Sequence, residues 1–376
     1  MISTTSQTFS VTEQDKQDCN FLNESMEGVF SIGGFFRIAS RVALKHPSRI
    51  YFFLRTIRWQ KKAAQIRLGW ERQGIHVPLF MIFSITNRCN LQCRGCYHQA
   101  LRQTSQVETS EDKLRNTIAE AKELGISLIV LAGGEPLVRP EILSITKDFP
   151  EIVFLLFTNG LLINDELTMK LKKQNNVVPV ISLEGYEEDT DGRRGKGIYE
   201  RLQRIIGKTK DNGIFWGTSL TVTNSNFTSV TDYQFIQNLI ALGCKLFFFV
   251  EYTPIEDGTE DMVLTDERRI SLLSLMNSFR SEFPGVFIAI PGDEEKFGGC
   301  LSAGRGFVHI SAEGTLEPCP FAPYSDTNLR DLSLKQALQS EFLKTIRQNR
   351  EQLSEWQGGC ALRTRREWVQ SLLHLK

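Results

Sequence analysis

An alternation of apolar strands and amphipathic helices constrains the fold more than any other feature of this 376-residue sequence. Strands are predicted at 79–86, 126–132, 152–158, 177–183, 214–222 and 244–252. Helices are predicted between and after them, at 109–124, 140–148, 164–173, 197–211, 230–241 and 264–283. Apolar strands that alternate with helices indicate a parallel sheet covered by helices. The sequence therefore predicts an α/β fold, built either as a partial barrel or as an open doubly wound sheet.

Two segments precede this alternation. Residues 1–30 are polar and are expected to form a flexible tail, and residues 31–76 form a basic, aromatic and helical segment. Helices are predicted at 33–45 and 48–72, because Pro47 suits the first turn of a helix. We expect these helices to pack as a cap over the barrel, with a membrane-surface role and a nucleic-acid role as alternatives.

Charge is balanced over the whole chain but not in this segment. Ten Lys or Arg residues lie between Arg37 and Arg72, against one acidic residue, Glu71. The complete chain has 44 basic and 44 acidic residues, which argues against a globally basic nucleic-acid binder. No uncharged stretch is long enough to span a membrane, and the first 26 residues lack the features of a signal peptide. A cytoplasmic location is expected, with a peripheral contact at the inner membrane face as an alternative.

The alternation ends near Phe287, and residues 286–376 are predicted to form a small α+β domain. A β-hairpin is predicted from 306–310 and 315–318, and a helix at 334–349. This region contains three of the eight cysteines, at Cys300, Cys319 and Cys360. Clustered cysteines in a reducing compartment indicate metal binding or catalysis rather than disulfides.

Three more cysteines follow the first strand directly, with the spacing CxxxCxxC: Cys89, Cys93 and Cys96. Three thiolates can hold three irons of a 4Fe–4S cube and leave the fourth iron open to a small molecule. A structural zinc ion would need four protein ligands, with His98 as the nearby fourth donor. Cys19 and Cys244 stand alone, and Cys244, at the start of an apolar strand, is predicted to be an inert core thiol.

The string CNLQCRGCY at 89–97 resembles the cluster loop of the radical S-adenosylmethionine (SAM) enzymes. A second motif of that superfamily follows at the end of the second strand, formed by Gly133, Gly134, Glu135 and Pro136. In the superfamily this GGEP motif holds the amino group of the SAM methionine. The resemblance implies a partial (β/α)6 radical SAM barrel over residues 77–285, with the loop cysteines as ligands of a 4Fe–4S cluster.

Two further segments resemble SAM-binding parts of the same superfamily. The sequence ISLEG at 181–185 is similar to the common strand-end segment ISLDG, with Glu184 in place of the usual Asp. The resemblance implies that Ser182 and Glu184 contact SAM. It also implies that Arg194, in the following RRGKG loop, lies near the SAM carboxylate.

The C-terminal cysteines resemble a reduced form of the SPASM and twitch extensions. Cys300, Gly314 and Cys319 match the opening pattern Cx(9–15)Gx4C of these extensions, and Cys360 is the one cysteine that follows. The resemblance implies that these three cysteines bind an auxiliary 4Fe–4S cluster. When the barrel motifs and the C-terminal cysteines are taken together, the resemblance covers residues 79–360.

The activity implied by the resemblance is reductive cleavage of SAM to a 5′-deoxyadenosyl radical, which removes a hydrogen from a C–H bond of the substrate. An electron donor such as flavodoxin or ferredoxin and a peptide or small-molecule substrate, including a lipid, are the expected partners, and no nucleic acid is expected. The alternative from another class is a non-catalytic β/α scaffold that binds SAM or zinc. The residue that donates or accepts protons in catalysis is not indicated by the sequence.

Overall fold

The structure is a computed structural model, and it describes residues 48–101, 107–353 and 360–374. In these residues one sheet contains nine strands in the order β7-β6-β5-β4-β3-β2-β1-β8-β9. The strands are β1 (Phe80–Thr86), β2 (Leu128–Gly133), β3 (Val153–Thr158), β4 (Val177–Leu183), β5 (Trp216–Val222), β6 (Cys244–Glu251), β7 (Val286–Ile290), β8 (Phe307–Ile310) and β9 (Leu316–Glu317).

Each strand from β1 to β6 pairs in parallel with the next strand along the chain, so β1 to β7 all run in the same direction. Their carboxyl ends therefore lie at the same edge of the sheet, where β/α enzymes place their chemistry. This arrangement confirms the predicted α/β class and the partial barrel.

Helices connect the strands and cover the sheet. The described α-helices are α1 (Ser48–Glu71), α2 (Tyr97–Leu101), α3 (Glu111–Leu124), α4 (Ile142–Lys147), α5 (Asp165–Lys173), α6 (Glu187–Arg194), α7 (Ile198–Asp211), α8 (Phe227–Val230), α9 (Tyr233–Ala241), α10 (Asp266–Glu282), α11 (Leu334–Ala337), α12 (Glu341–Gln348), α13 (Ala361–Thr364) and α14 (Arg366–Ser371). Short 3₁₀ turns lie at Pro136–Val138, Glu260–Met262, Gly292–Phe297, Arg350–Leu353 and Leu372–His374.

Apolar side chains pack on both faces of the sheet. On the inner face, a small cluster contains Leu155, Val180, Phe248 and Ile288. On the outer face, the alternate residues of each strand pack against the helices in larger clusters. Phe154 of β3 is one of these residues. Burial on both faces explains why the strands read as continuous apolar runs.

The C-terminal region departs from the prediction in two places. Strand β7 (VFIAI) was not predicted, and it pairs in parallel with β6 beyond the predicted boundary at residue 285. The single helix predicted at 334–349 is two helices, because Ser340 caps the second one through a hydrogen bond from the Leu343 N–H group. The predicted hairpin is confirmed by the antiparallel pairing of β8 with β9.

Strand β8 also joins this hairpin to the barrel, because it pairs in parallel with β1. A buried polar chain reinforces the joint. The Ser84 Oγ atom lies 2.8 Å from His309 Nε2, and His309 Nδ1 lies 2.7 Å from a Glu317 carboxylate oxygen. All three side chains are buried, so β1, β8 and β9 are held together by hydrogen bonds in the interior.

Helix α1 docks on the barrel through its polar side chains. Arg67 is buried and donates to the Gly125 carbonyl at 2.6 Å, and Arg55 donates to the Pro150 carbonyl at 2.8 Å. The Lys122 ammonium lies 5.7 Å from the Trp59 ring. These contacts agree with the predicted cap. The helix predicted at 33–45 lies outside the described residues, and no helix within them is long and apolar enough to cross a bilayer.

Candidate functional site

The loop between β1 and α2 carries three thiols, which we call the loop cysteines (Cys89, Cys93 and Cys96). It begins where β1 ends and therefore lies at the carboxyl edge of the sheet. Cys93 and Cys96 share one turn, because the Cys96 N–H group donates to the Cys93 carbonyl at 3.3 Å. The loop cysteines therefore follow the first strand of the sheet, as the sequence predicts.

The end of β2 supports the cysteine loop through its main chain. The Gly134 N–H group donates to the Thr86 carbonyl, and the Glu135 N–H group donates to the Arg88 carbonyl, both at 2.8 Å. A Cβ atom on Gly134 would lie 2.2 Å from the Arg88 carbonyl oxygen. Gly133 has a φ of 121°, and a Cβ atom there would lie 2.5 Å from the Thr86 oxygen. The two glycines are therefore needed for the close approach of β2 to the cysteine loop.

The Glu135 side chain is buried and accepts three hydrogen bonds. Its donors are the Leu137 N–H group at 3.0 Å, the Thr158 hydroxyl at 2.7 Å and the Asn159 N–H group at 2.7 Å. Burial raises the pKa of Glu135, although these donors lower it in part. Glu135 thus ties the ends of β2 and β3 together. Pro136 is buried in the 3₁₀ turn that Glu135 caps.

Asn159 is a site residue that the sequence analysis missed. Its side-chain Nδ2 atom lies 3.8 Å from the Cys89 sulfur and 2.8 Å from Asn90 Oδ1. It directly follows β3, so its position at a strand end was the signal that could have identified it.

The loop cysteines and the groups around them shift one another's pKa values. Partial removal from water raises the pKa of the Cys89 thiol, and the negative neighbours Glu135, Cys93 and Cys96 raise it further. Burial also raises the pKa of the Cys93 thiol, which Arg194 and Arg193 oppose. Two arginines are therefore placed to stabilise negative charge on this loop.

Glu184 holds these arginines at the end of β4. Its Oε1 atom accepts from Arg194 Nε at 2.9 Å and also from Arg193 Nη1. Burial opposes the charge of Arg194, but the Glu184 carboxylate and the Cys93 thiol outweigh it and raise the pKa of Arg194. Although Glu184 is fully buried, its Oε2 atom has no hydrogen-bond partner among the described residues. Ser182, the other predicted contact on β4, is half-buried beside Ser219 of β5.

The end of β6 closes the other side of the cysteine loop. A Cβ atom on Gly95 would lie 2.5 Å from the Tyr252 hydroxyl oxygen, so the loop and this ring are in close contact. The Gly95 N–H group donates to a Glu256 carboxylate oxygen at 3.1 Å. Strands β2, β3, β4 and β6 therefore all contribute residues around the loop cysteines.

The second group of thiols, which we call the C-terminal cysteines (Cys300, Cys319 and Cys360), is more deeply buried. Cys319 belongs to the main hydrophobic cluster, and the other two pack against it. A hydrogen bond between Cys319 and Cys360 raises the pKa of the first thiol and lowers that of the second. Burial, with Glu294 and Cys360 as negative neighbours, raises the pKa of Cys300. Burial also raises the pKa of Glu294 itself to about 8.

Both groups of thiols fit iron–sulfur clusters in their donor chemistry. Thiolates are the usual ligands of such clusters, and each binds its own iron. Among the described residues, no three His, Cys, Asp or Glu side chains converge where they could share one metal ion. Cys244, by contrast, is fully buried among apolar residues of β6, as predicted, and burial raises the pKa of its thiol.

The sequence of residues 83–232 matches the family model described as the radical SAM superfamily. This chain contains a radical SAM domain. The protein is an enzyme, and radical SAM enzymes use a 4Fe–4S cluster and SAM.

Several curated relatives and solved structures are similar to this radical SAM enzyme. An AdoMet-dependent heme synthase of Methanosarcina barkeri is 25% identical over 76% of this chain and 88% of its own length. A GTP 3′,8-cyclase of Clostridium perfringens is 27% identical over 71% of this chain and 87% of its own. The crystal structure of Streptococcus suis SuiB bound to the precursor peptide SuiA superimposes with a TM-score of 0.60 at 17% identity, covering 76% of this chain and 69% of that one. The last comparison supports the fold.

Proposed function

We propose that the loop cysteines hold a 4Fe–4S cluster and that this enzyme cleaves SAM reductively. When bound together, the cluster and SAM supply a 5′-deoxyadenosyl radical that removes a hydrogen from a C–H bond of the substrate. The observation that carries this proposal is the placement of three thiols on one loop at the carboxyl edge of a parallel sheet, where main-chain hydrogen bonds join the loop to the GGEP turn.

The residues around the loop have distinct roles in this proposal. Gly133 and Gly134 position the cysteine loop, and Glu135 and Pro136 fix the turn that faces SAM. Glu184 offers a buried carboxylate oxygen that accepts no bond among the described residues, which suits an ammonium or hydroxyl donor of SAM. Arg194 suits the SAM carboxylate by its charge, and its ion pair with Glu184 keeps it beside Cys93. Ser182 completes the polar end of β4.

We also propose that the C-terminal cysteines hold an auxiliary 4Fe–4S cluster. Their support is their common location in the core, because Cys319 lies in the main hydrophobic cluster and Cys300 and Cys360 both pack against that cluster. The three cysteines come from separate segments of residues 286–376, so a cluster bound there would stabilise the fold of this region.

The substrate is proposed to be a peptide or a small molecule, and the electron donor a flavodoxin or ferredoxin. The relatives named above include a heme synthase and a GTP cyclase, and another relative is the antilisterial bacteriocin subtilosin biosynthesis protein AlbA of Bacillus subtilis, 27% identical. These names span tetrapyrrole, nucleotide and peptide chemistry. They therefore support the type of reaction and do not favour any one substrate.

The release of 5′-deoxyadenosine from SAM under dithionite tests the proposed activity. We expect the reconstituted protein to release it and the Cys89→Ala/Cys93→Ala/Cys96→Ala variant to release none. Cys244→Ala is the matched control, because this thiol is buried away from both cysteine groups. If the folded triple variant cleaves SAM at the wild-type rate, the assignment of the loop cysteines is wrong. If the wild-type protein binds SAM without cleaving it, the non-catalytic scaffold is favoured.

The peripheral membrane contact is a separate proposal that concerns helix α1. Three of its bases, Arg58, Lys61 and Lys62, are exposed. Bases near an anionic surface contribute about 1 kcal/mol each, so their replacement by Gln should weaken vesicle binding by roughly 100-fold. Flotation with anionic vesicles at low salt measures this, with Arg201, Arg204 and Lys210 of α7 as the matched exposed set. Absence of flotation by the wild-type chain would contradict the proposal.

A further inference from the structure

A carboxylate side chain, that of Glu294, lies beside the three C-terminal cysteines. Glu294 belongs to the 3₁₀ turn Gly292–Phe297, which follows β7. Its main-chain carbonyl accepts from the Gly299 N–H group at 3.0 Å, and its side-chain Oε1 atom accepts from the Leu301 N–H group at 3.4 Å. Glu294 is therefore tied to the residues on both sides of Cys300.

The two acidic neighbours of Glu294 are used differently. The Asp293 carboxylate accepts from Arg280 Nη2, from the Ala289 N–H group at 2.8 Å and from Lys296 Nζ at 2.8 Å. Glu295 is exposed to solvent. Of these three carboxylates, only that of Glu294 accepts a hydrogen bond from a main-chain N–H group next to one of the C-terminal cysteines, that of Leu301 beside Cys300.

Hydrogen bonds from a buried arginine hold the loop that carries Cys300. Arg305 is buried, and its Nη1 atom donates to the Gly299 carbonyl at 2.9 Å and to the Cys300 carbonyl at 3.2 Å. Its positive charge also faces Glu294. A fixed loop and a nearby cation suit a ligand set made of negative groups, because partners behind the ligands orient them and offset their charge.

We propose that Glu294 is the fourth protein ligand of the auxiliary cluster, completing a set with Cys300, Cys319 and Cys360. A cube has four irons, and three thiolates leave one of them without a protein ligand. A carboxylate is an established ligand for iron in proteins. This inference rests on the proposed auxiliary cluster. It assigns that cluster to electron transfer rather than substrate anchoring, since no iron remains open to a substrate.

Iron content in a variant that lacks the first cluster tests this assignment. In the Cys89→Ala/Cys93→Ala/Cys96→Ala background, anaerobic reconstitution should leave about four irons per chain. Adding Glu294→Gln removes the charged ligand and keeps the size of the side chain. After mild oxidation we expect about three irons per chain and the electron paramagnetic resonance (EPR) signal of a three-iron cluster, because the unprotected iron leaves the cube.

Two companion variants separate ligation from packing. Glu295→Gln changes an adjacent exposed carboxylate and should keep about four irons and the unaltered EPR spectrum. Glu294→Cys supplies a thiolate at the same position and should also retain the fourth iron. If Glu294→Gln keeps four irons through oxidation, Glu294 is not a ligand although the cluster exists. If the folded background variant holds no iron, the auxiliary cluster itself is refuted, and the role of Glu294 with it.

Discussion

The loop cysteines and the C-terminal cysteines are surrounded by the protein in different ways. Cys89 is exposed on an irregular loop, and that loop is held by main-chain hydrogen bonds and close glycine contacts. Cys319 lies inside the main hydrophobic cluster, with Cys300 and Cys360 packed against it. A cofactor can approach the first group from the open edge of the sheet, whereas the second group is part of the core.

The difference indicates that the loop cysteines serve the reaction, whereas a cluster at the C-terminal cysteines would also stabilise the fold. The barrel strands and helices near the loop cysteines pack without help from a metal, as the continuous apolar clusters on both faces of the sheet show. The C-terminal cysteines come from three separate segments, so a cluster bound there would connect parts of the chain that are far apart in sequence. Binding free energy at such a site is also folding free energy.

The largest expected effect is a difference in stability between two triple variants. Cys300→Ala/Cys319→Ala/Cys360→Ala should lower the free energy of unfolding by about 4 kcal/mol or more, as the loss of a structural metal does. Cys89→Ala/Cys93→Ala/Cys96→Ala should lower it by a smaller amount, because the cluster lost there joins residues of one loop rather than three separate segments. Anaerobic thermal unfolding measures both. Equal losses of stability would remove the distinction between the two groups.

A smaller effect is expected at the glycine contact below the loop cysteines. In Gly134→Ala the added methyl group meets the Arg88 carbonyl, so the cysteine loop must shift. We expect loss of about four irons, those of the first cube, while the auxiliary cluster is retained. Gly207→Ala is the control, because a Cβ atom there meets nothing within 4 Å and should stabilise α7 by roughly 0.5–1 kcal/mol. Eight irons in Gly134→Ala would show that the loop tolerates the shift.

The barrel and the loop cysteines could be predicted from the sequence for a physical reason. Strands buried on both faces give long apolar runs, and the ligands of the loop are adjacent in sequence, so local patterns contain both. The predicted bounds of β4, at 177–183, agree with the structure. Strand β7 was missed although Gly285 and Pro291 bound its apolar run, because it follows the last predicted unit without a helix after it.

Long-range contacts could not be predicted in the same way. The pairing of β8 with β1, and the chain from Ser84 through His309 to Glu317, join residues more than two hundred positions apart. No local pattern indicates such a partner. The same limit applies to Glu294, whose role depends on Cys360 being folded against it.

The smallest expected effect is a pH dependence of stability caused by Glu135. Its buried carboxylate lies at the site of the loop cysteines. Burial raises its pKa in the folded protein above the ordinary value of 4.5, so the folded state binds a proton more tightly than the unfolded state. The contribution of Glu135 to stability is therefore complete at pH values below 4.5 and is lost as pH rises through the raised pKa.

Glu135→Gln should remove this dependence, because an amide does not titrate. Its Nε2 group would also face the Asn159 N–H donor, which now meets a carboxylate oxygen at 2.7 Å, and this conflict should cost about 1–3 kcal/mol. Denaturant unfolding of iron-free protein from pH 4.5 upward measures both effects. The advantage of the wild type over Glu135→Gln should shrink with rising pH, by at most about 1.4 kcal/mol per pH unit. A constant difference would show that Glu135 keeps an ordinary pKa, and that the loop site differs from the C-terminal site in exposure alone.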